Sequence, residues 1–184
     1  MIGDHYLHKK ALPFEGSVRI PFMILPPKGQ NAAKGFICSQ PVSHIDIMPT
    51  VLELAGVSSR YPMDGTSLVP QLHGQDRFVR QYLHGEHANA ATGWQYLVNQ
   101  DEKYAWETLS GQEFYFELKS DPQETHNAVD DPQYLQQVMR MRALLADILS
   151  LRPQDGLTEN GTLIPGRLLP DCRSELIDRG RQYD

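Results

Sequence analysis

The alternation of aromatic residues between Arg80 and Leu118 is the feature that most constrains the fold of this chain. Large apolar side chains recur there mostly at every second position, which is the period of a half-buried β-strand. Turn-like separators at Asn99-Gln100-Asp101 and Ser110-Gly111-Gln112 interrupt the alternation. The segment therefore predicts an antiparallel meander of three or four strands. Lys103 is the one lysine or arginine interleaved with the aromatic side chains, too little basic character for a platform that stacks nucleic-acid bases, so we interpret these side chains as core.

The segment from Asp131 to Leu151 predicts a long helix that packs on this meander. Asp131 is a favourable N-cap, Pro132 suits the first helical position, and Pro153 prevents the helix from continuing. An apolar stripe runs along the predicted helix, formed by Leu135, Val138, Met141, Leu145, Ile148 and Leu149. Meander and helix together make an α+β layer. Residues 153–184 are polar and predict an extended tail.

The N-terminal part of the chain predicts elements that lack enough partners of their own. Ser17–Leu25 has the composition of a mostly buried strand, although its Pro21 suits only an edge, a strand start or a bulge. Ser43–Ala55 and Ser67–His73 predict two helices. We therefore predict the remnant of a mixed sheet, so the fold class is α/β to α+β. The predicted domains are residues 1–78, 79–152 and 153–184.

Composition argues against two classes of partner. The 184 residues contain 17 Lys and Arg against 23 Asp and Glu, a net charge of -6, without the basic cluster that nucleic-acid phosphates require. The longest apolar stretch, Ile20 to Pro27, is far shorter than the ~20 residues of a membrane-spanning helix. Cys38 and Cys172 are too few for a disulfide framework or a metal motif. We expect no nucleic-acid or membrane partner, and the compartment stays open.

A first cluster of chemically capable side chains lies near the start of the sequence, where His5, His8, Lys9 and Lys10 follow Asp4. Basic and imidazole groups packed this tightly can hold an anion and stabilise the negative charge that grows on a leaving group. A solvated chain end is the alternative interpretation, and spacing alone favours it.

A second cluster, His84-Gly85-Glu86-His87, comes directly after a predicted strand. Two imidazoles and a carboxylate at a strand end can bind a metal or line a substrate pocket. The spacing differs from that of a helical zinc site with histidines at i and i+4. A turn, or histidines buried in hydrogen bonds, is the alternative interpretation.

Four segments in order resemble the sulfatases, within the alkaline-phosphatase-like hydrolases. Met1–Pro21 is similar to the family's stretch from Gly-Asp-His through a lysine to Glu-Gly-x-x-Arg-x-Pro, and Ile45–Val57 is similar to its Asp-x-x-Pro-Thr-Leu-x-x-Leu-Ala-Gly helix. Met63–Leu68 precedes a short leucine-containing helix. Lys103–Trp106 and Glu113–Asn127 look like the family's C-terminal meander, which ends in Leu-x-x-Asp-Pro-x-Glu-x-x-Asn. The ordered set covers about two thirds of the chain and is far more specific than any one segment.

The resemblance implies the chemistry of sulfate ester hydrolysis. Such enzymes use a formylglycine hydrate made from the Cys or Ser of a Cys/Ser-x-Pro-x-Arg motif, together with a divalent cation, usually calcium. Lys10 stands where the family places a lysine that contacts the sulfate, and Lys9 is the alternative if the register shifts by one. The resemblance places His5 and His8 near the pocket wall, and makes His84 and His87 possible substrate contacts. Residues 1–78 would then be a remnant of the sulfatase catalytic domain.

The nucleophile and the metal ligands of the family are not matched here. Cys38 stands in Cys38-Ser39-Gln40-Pro41, one residue too long for the formylglycine motif and without its arginine. We expect the motif and the Asp-His metal pair upstream of Met1, no metal or cofactor in this chain, and no turnover by the chain alone. A phosphonate or phosphate ester hydrolase, or a non-catalytic binding or assembly module, is the alternative. A truncated sheet also predicts self-association through a bare strand edge.

Overall fold

A computed structural model describes residues 1–8, 10, 12–26, 29, 32–75, 79–89 and 92–167 of the chain. The chain divides into two units. Met1–Arg19 and His84–Asp184 form the first, here called the sheet unit, and Ile20–Leu83 forms the second, the helical unit. The predicted domain boundaries at 78 and 152 stay predictions.

A four-stranded sheet in the order β1-β2-β3-β4 confirms the predicted meander. Its strands are β1 (Leu83–Asn89), β2 (Thr92–Val98), β3 (Glu102–Glu107) and β4 (Glu113–Glu117). Asn99 shapes the turn after β2, because its side-chain oxygen accepts hydrogen bonds from the backbone N–H groups of Asp101 and Glu102. The left-handed backbone of Gly111 (φ 79°) serves the next turn, where glycine pays no steric penalty.

The register of the strands divides their side chains between two faces of the sheet. Lys103 lies opposite Val98 and Phe116, while Tyr104 lies opposite Leu97 and Tyr115. Because successive side chains of a strand point to opposite faces, the register assigns every described side chain of β2 to β4 to one of the two. One face carries Trp94, Tyr96, Val98, Lys103, Ala105, Glu107, Phe114 and Phe116, and the other carries Gln95, Leu97, Glu102, Tyr104, Trp106, Glu113, Tyr115 and Glu117.

The predicted long helix forms as α4 (Leu135–Ser150) and covers the second of these faces, here called the helix face. It is preceded by a 3-10 turn, Pro132–Tyr134, whose start Asp131 caps by accepting the Gln133 N–H. The apolar stripe packs into the core at Val138, Met141, Leu145 and Leu149, whereas Leu135 is exposed.

Two ion pairs fix α4 on the helix face. Arg140 donates to both carboxylate oxygens of Glu102 at 2.7 and 2.9 Å. Arg142 makes a bidentate contact with Glu113, with Nε 3.0 Å from each oxygen. Such fork-shaped contacts set the register of the helix as well as its attachment.

The segment after α4 adds an element that its composition does not predict. A 3-10 turn at Pro153–Asp155 leads to a small hairpin of β5 (Thr158–Glu159) and β6 (Thr162–Leu163). Leu157 is buried just before it. The prediction of an extended chain is therefore wrong for these residues, because one buried leucine attaches them to the core. Residues 168–184 of the predicted tail lie outside the described residues.

The buried carboxylate of Asp46 organises the helical unit. Asp46 is the last residue of a 3-10 turn, His44–Asp46, and directly precedes helix α2 (Ile47–Leu54). Asp46 accepts hydrogen bonds from the backbone N–H groups of Ser43 and Thr66, at 2.8 Å each, and from the guanidinium of Arg80. Burial opposes the ionisation of Asp46, but these donors outweigh it and hold the pKa of this carboxyl below its ordinary value.

Glycines permit two close approaches in the helical unit. A Cβ atom at Gly65 would lie 1.9 Å from the Ile45 carbonyl oxygen, so only glycine fits there. Gly56 follows α2 in a left-handed conformation (φ 67°), which is common just after the end of a helix. The short helix α3 (Val69–Leu72) confirms the second predicted helix of this region.

The strand predicted at Ser17–Leu25 does not form. Glu15–Val18 makes a single helical turn, α1, and residues 20–26 have no strand partner among the described residues. The physical reason is that a strand needs a hydrogen-bonded neighbour, and Pro21 also removes a donor. Met23 and Leu25 are therefore left about nine-tenths exposed, at 89% and 95%.

None of the helices within the described ranges combines the length and apolar character needed to cross a bilayer.

Candidate functional site

Phe14 and Glu15 lie against the face of the sheet opposite α4, here called the N-terminal face. Phe14 is buried there and packs edge-on against the rings of Phe114 and Phe116, with centroids 5.7 and 6.1 Å away. The imidazole of His5 stacks on the other side of Phe14 at 4.1 Å. A single aromatic side chain thus fastens the segment that contains the predicted anion cluster.

A buried ionic cluster adds a second attachment beside Phe14. The ammonium of Lys103, on β3, donates to Glu15 Oε1 at 2.6 Å and to Glu124 Oε1 at 2.7 Å. The Lys103 side chain is 0% exposed and that of Glu124 is 1% exposed. The backbone N–H of Glu15 also donates to Glu124 Oε2 at 2.5 Å. We call these three residues the anchor cluster.

The electrostatics of the anchor cluster depend on its burial. Burial raises the pKa of Glu124 above its ordinary value, although the Lys103 ammonium and the N–H of Glu15 favour its charged form. Glu124 also adopts a left-handed backbone conformation (φ 57°), which is costly for a residue other than glycine. The surrounding structure therefore holds Glu124 in place although both the burial of its carboxylate and its left-handed backbone are unfavourable.

The cluster was not predicted from the sequence as a unit, although its members were visible there. Glu15, Lys103 and Glu124 each fall within a segment that resembles the family. The available signal was the position of Lys103, a charged residue in register with the aromatic side chains of a buried face. A buried lysine requires an acidic partner. Nothing in the spacing says that one partner lies 88 positions earlier in the chain.

The structure places Lys10 between two fixed points of the N-terminal segment, with its side chain exposed. On one side the backbone bridges His8 to Ile2. On the other side Phe14 and Glu15 are attached to the sheet. His8 is exposed, and Lys9 lies outside the described residues. The role predicted for Lys10 stays a prediction.

His5 lies in a strained turn of the same segment. His5 and its neighbour Tyr6 both have left-handed backbone conformations, with φ of 53° and 59°. Consecutive non-glycine residues in this region are unfavourable and persist only where the neighbouring structure holds them. The stacking of His5 on Phe14 supplies such a restraint.

The second predicted cluster, His84 to His87, lies on β1 and is divided between the two faces. His84 Nε2 is 2.8 Å from Gln95 Oε1, and the Gln95 amide donates to Glu86 at 3.3 Å. Arg152, which follows α4, makes a bidentate contact with Glu86 at 3.0 and 2.7 Å. His84 and Glu86 therefore belong to the helix face.

The hydrogen bonds of this network fix its polarity. Gln95 must donate through its amide nitrogen to Glu86, so its oxygen accepts, and His84 Nε2 carries the hydrogen. The hydrogen bonds from Arg152, aided by its charge, hold the pKa of Glu86 below its ordinary value. The arrangement gives His84 a clear hydrogen-bonding role within the fold.

Gly85 and His87 point the other way. A Cβ atom at Gly85 would lie 2.2 Å from the hydroxyl of Tyr96, so Gly85 is on the N-terminal face and only glycine leaves room for that ring. Because strand side chains alternate, His87 is on the same face. It is exposed and lies on the side of the sheet to which Phe14 and Glu15 are attached.

The described residues do not fit a divalent cation. Nowhere among them do three or more His, Cys, Asp or Glu side chains converge as a metal site requires. Glu86 is paired with Arg152 and Glu15 with Lys103, so these carboxylates already have cationic partners. Calcium bound by the complete protein stays a prediction.

The family model described as "N-sulphoglucosamine sulphohydrolase, C-terminal" matches residues 3–150 of this chain. An arylsulfatase of Clostridium perfringens is 34% identical over 167 residues, covering 90% of this chain and 34% of that protein. A Delta 4,5-hexuronate-2-O-sulfatase of Bacteroides thetaiotaomicron is 26% identical over 162 residues, covering 84% and 33%. The chain thus spans about one third of the length of these curated relatives.

A solved structure shares the fold. The structure of a 2-O GAG sulfatase superposes with a TM-score of 0.57 at 26% identity. The match covers 70% of this chain and 27% of that one.

Proposed function

Because this chain belongs to the sulfatase family, whose C-terminal part it carries, we propose that it completes the active site of a sulfate ester hydrolase and supplies Lys10 to it. The N-terminal stretch Met1–Arg19, here called the Lys10 segment, is attached to the sheet at two residues, and this double attachment is the observation that carries the proposal. Phe14 and Glu15 fix that segment on the N-terminal face, a few residues from Lys10. An ammonium held on a fixed backbone can meet a sulfate group at low entropic cost.

The proposed role of Lys10 is electrostatic. When the ester bond of a sulfate breaks, negative charge grows on the leaving oxygen and stays on the sulfate oxygens. A pre-positioned ammonium stabilises that charge more in the transition state than in the bound substrate, and so accelerates the reaction. The nucleophile and the metal ligands would come from the remainder of the protein, so we propose that the chain alone does not turn over sulfate esters.

The histidines are proposed to serve different purposes. His87 shares the N-terminal face with the Lys10 segment, so it is the better candidate for a substrate contact. His84 faces α4 and hydrogen-bonds to Gln95, so a substrate contact by His84 would require a cleft at the opposite face. His5 and His8 belong to the Lys10 segment and are proposed to line the pocket wall.

Association with another polypeptide surface remains part of the proposal. Apolar side chains of the helical unit are exposed along and beside α2, at Ile45, Ile47, Met48 and Val51. Contiguous exposed apolar surface favours contact with a second surface. Either the remainder of the protein or a second copy of this chain would cover it.

Assays of the complete protein that carries this chain test the proposed reaction. Sulfate and phosphonate monoesters are both tetrahedral anions, and one ammonium binds either, so the sequence and fold leave this choice to measurement. We expect kcat/KM for an aryl or sugar sulfate to exceed that for the matching phosphonate by at least about tenfold. We expect no turnover by the 184-residue chain alone.

Two outcomes would contradict the proposal. A preference for the phosphonate ester would indicate the related class of hydrolase. Binding of sugar sulfates by the complete protein without hydrolysis of any ester would indicate a non-catalytic module.

A further inference from the structure

We propose that the anchor cluster of Glu15, Lys103 and Glu124 positions Lys10 for catalysis, an inference that rests on the function proposed above. In this scheme Glu15 does not contact the substrate and is a positioning residue. Its effect on the reaction would pass through the backbone of the segment that joins it to Lys10.

The geometry of the cluster is suited to fixing a backbone and not only a side chain. Lys103 holds the Glu15 carboxylate at 2.6 Å, while Glu124 accepts the Glu15 backbone N–H at 2.5 Å. Glu124 itself is held by the same ammonium at 2.7 Å. Both the side chain and the main chain of Glu15 are therefore tied to one buried lysine of β3.

A merely stabilising contact does not require this arrangement. Buried ion pairs add little net stability compared with well-packed apolar side chains, because desolvation offsets their attraction. Phe14 already supplies apolar packing next to Glu15. The ionic cluster adds positional precision. Its hydrogen bonds fix the position of Glu15 along the sheet, whereas the aromatic contact of Phe14 tolerates small shifts.

The distance along the chain is short enough for this register to reach Lys10. Lys10 lies five positions before Glu15, and the chain spans at most ~3.3–3.6 Å per residue. Before Lys10, two backbone contacts hold residues 2–8 in a turn. These are the bridge between Ile2 and His8 and the hydrogen bond from Gly3 N to Leu7 O. The attachments at His8 and Glu15 thus lie two and five positions from Lys10, and a misplacement of about 1 Å can slow a reaction ~100-fold.

A double-mutant cycle in the complete enzyme tests this inference. The variants are Glu15→Ala, Lys10→Ala and the pair together, assayed for kcat and KM with a sulfate ester. We expect Glu15→Ala to lower kcat/KM at least ~10-fold when Lys10 is present, and less than about twofold when Lys10 is already alanine. Glu15→Gln, which keeps an oxygen for Lys103, should recover part of the loss.

Glu113→Ala is the matched control. Its carboxylate has a similar exposure to that of Glu15, 21% against 17%, and it also pairs with a basic residue, but on the helix face. We expect it to leave kcat/KM within about twofold of the wild type. If Glu15→Ala does not fold, as judged by tryptophan fluorescence, Glu124→Gln takes its place in the same cycle.

The outcomes separate this inference from the proposed function. Suppose that Lys10→Ala lowers turnover. If Glu15→Ala then has no effect, or lowers kcat/KM by the same factor whether position 10 is lysine or alanine, the positioning role is overturned and the proposed function stands. If Lys10→Ala leaves turnover unchanged, the proposed function fails and the positioning role fails with it.

Discussion

Replacing Lys103 with methionine is expected to destabilise the sheet unit by about 3–5 kcal/mol, because it leaves the buried carboxylate of Glu124 without its cation and takes one cationic partner from Glu15. The side chains of Lys103 and Glu124 are 0% and 1% exposed, so water cannot take the place of the ammonium without opening the structure. Urea denaturation followed by fluorescence measures the effect. Both tryptophans of the chain, Trp94 and Trp106, lie in the meander and so report this unit.

The same variant should show a characteristic dependence on pH. Burial already raises the pKa of Glu124, and removing Lys103 takes away a group that opposes this rise. An acid whose pKa is raised by folding favours the folded state below its unfolded pKa and loses that advantage as the pH rises through the folded pKa. The penalty of Lys103→Met should therefore be smaller at about pH 4 than at about pH 8.

Lys119→Met is the control for both measurements. Lys119 also pairs with a carboxylate, Asp101 at 3.1 Å, but its side chain is 66% exposed. We expect a change of less than about 1 kcal/mol. An equal and small effect of the two substitutions would show that the anchor cluster contributes no more than a surface ion pair.

Removing the ammonium of Lys10 is the second change with a large expected effect, in this case on turnover. We expect Lys10→Ala in the complete enzyme to lower kcat/KM for a sulfate ester by about 10²–10³, the usual effect of losing one group that stabilises a developing oxyanion. If the ammonium acts mainly in the transition state, most of the loss will appear in kcat and little in KM.

The stability of Lys10→Ala should be unchanged. Lys10 is exposed, so its truncation is not expected to disturb the core. Lys34→Ala, at another exposed lysine, is the matched control and should retain normal turnover. Loss of activity in both variants, or in neither, would remove Lys10 from the proposed mechanism.

Local periodicity made the sheet and the long helix predictable. The two-residue alternation of the aromatic side chains and the apolar stripe of α4 are both properties of neighbouring residues, and the caps at Asp131 and Asn99 act over two or three positions. The strand predicted at Ser17–Leu25 failed for the opposite reason. Its formation depends on a partner strand, which the described residues do not provide.

The site was predictable only in part, because its organisation depends on contacts between distant residues. The anchor cluster joins positions 15, 103 and 124, which in the sequence are only separate members of three motifs. The separation of His84 from His87 onto opposite faces follows from their three-residue spacing within one strand, and it is recognisable only once that strand is known to include both. The hairpin at β5 and β6 likewise depends on the burial of a single residue, Leu157.

The central claim, that this chain directs a lysine at a sulfate group, is tested most directly by a structure of the complete protein with inorganic sulfate bound. We expect Lys10 Nζ within about 2.7–3.2 Å of a sulfate oxygen, on the N-terminal face of the sheet. A sulfate bound in the active-site cleft with the Lys10 side chain directed away from it into solvent would show that this lysine does not act on the sulfate.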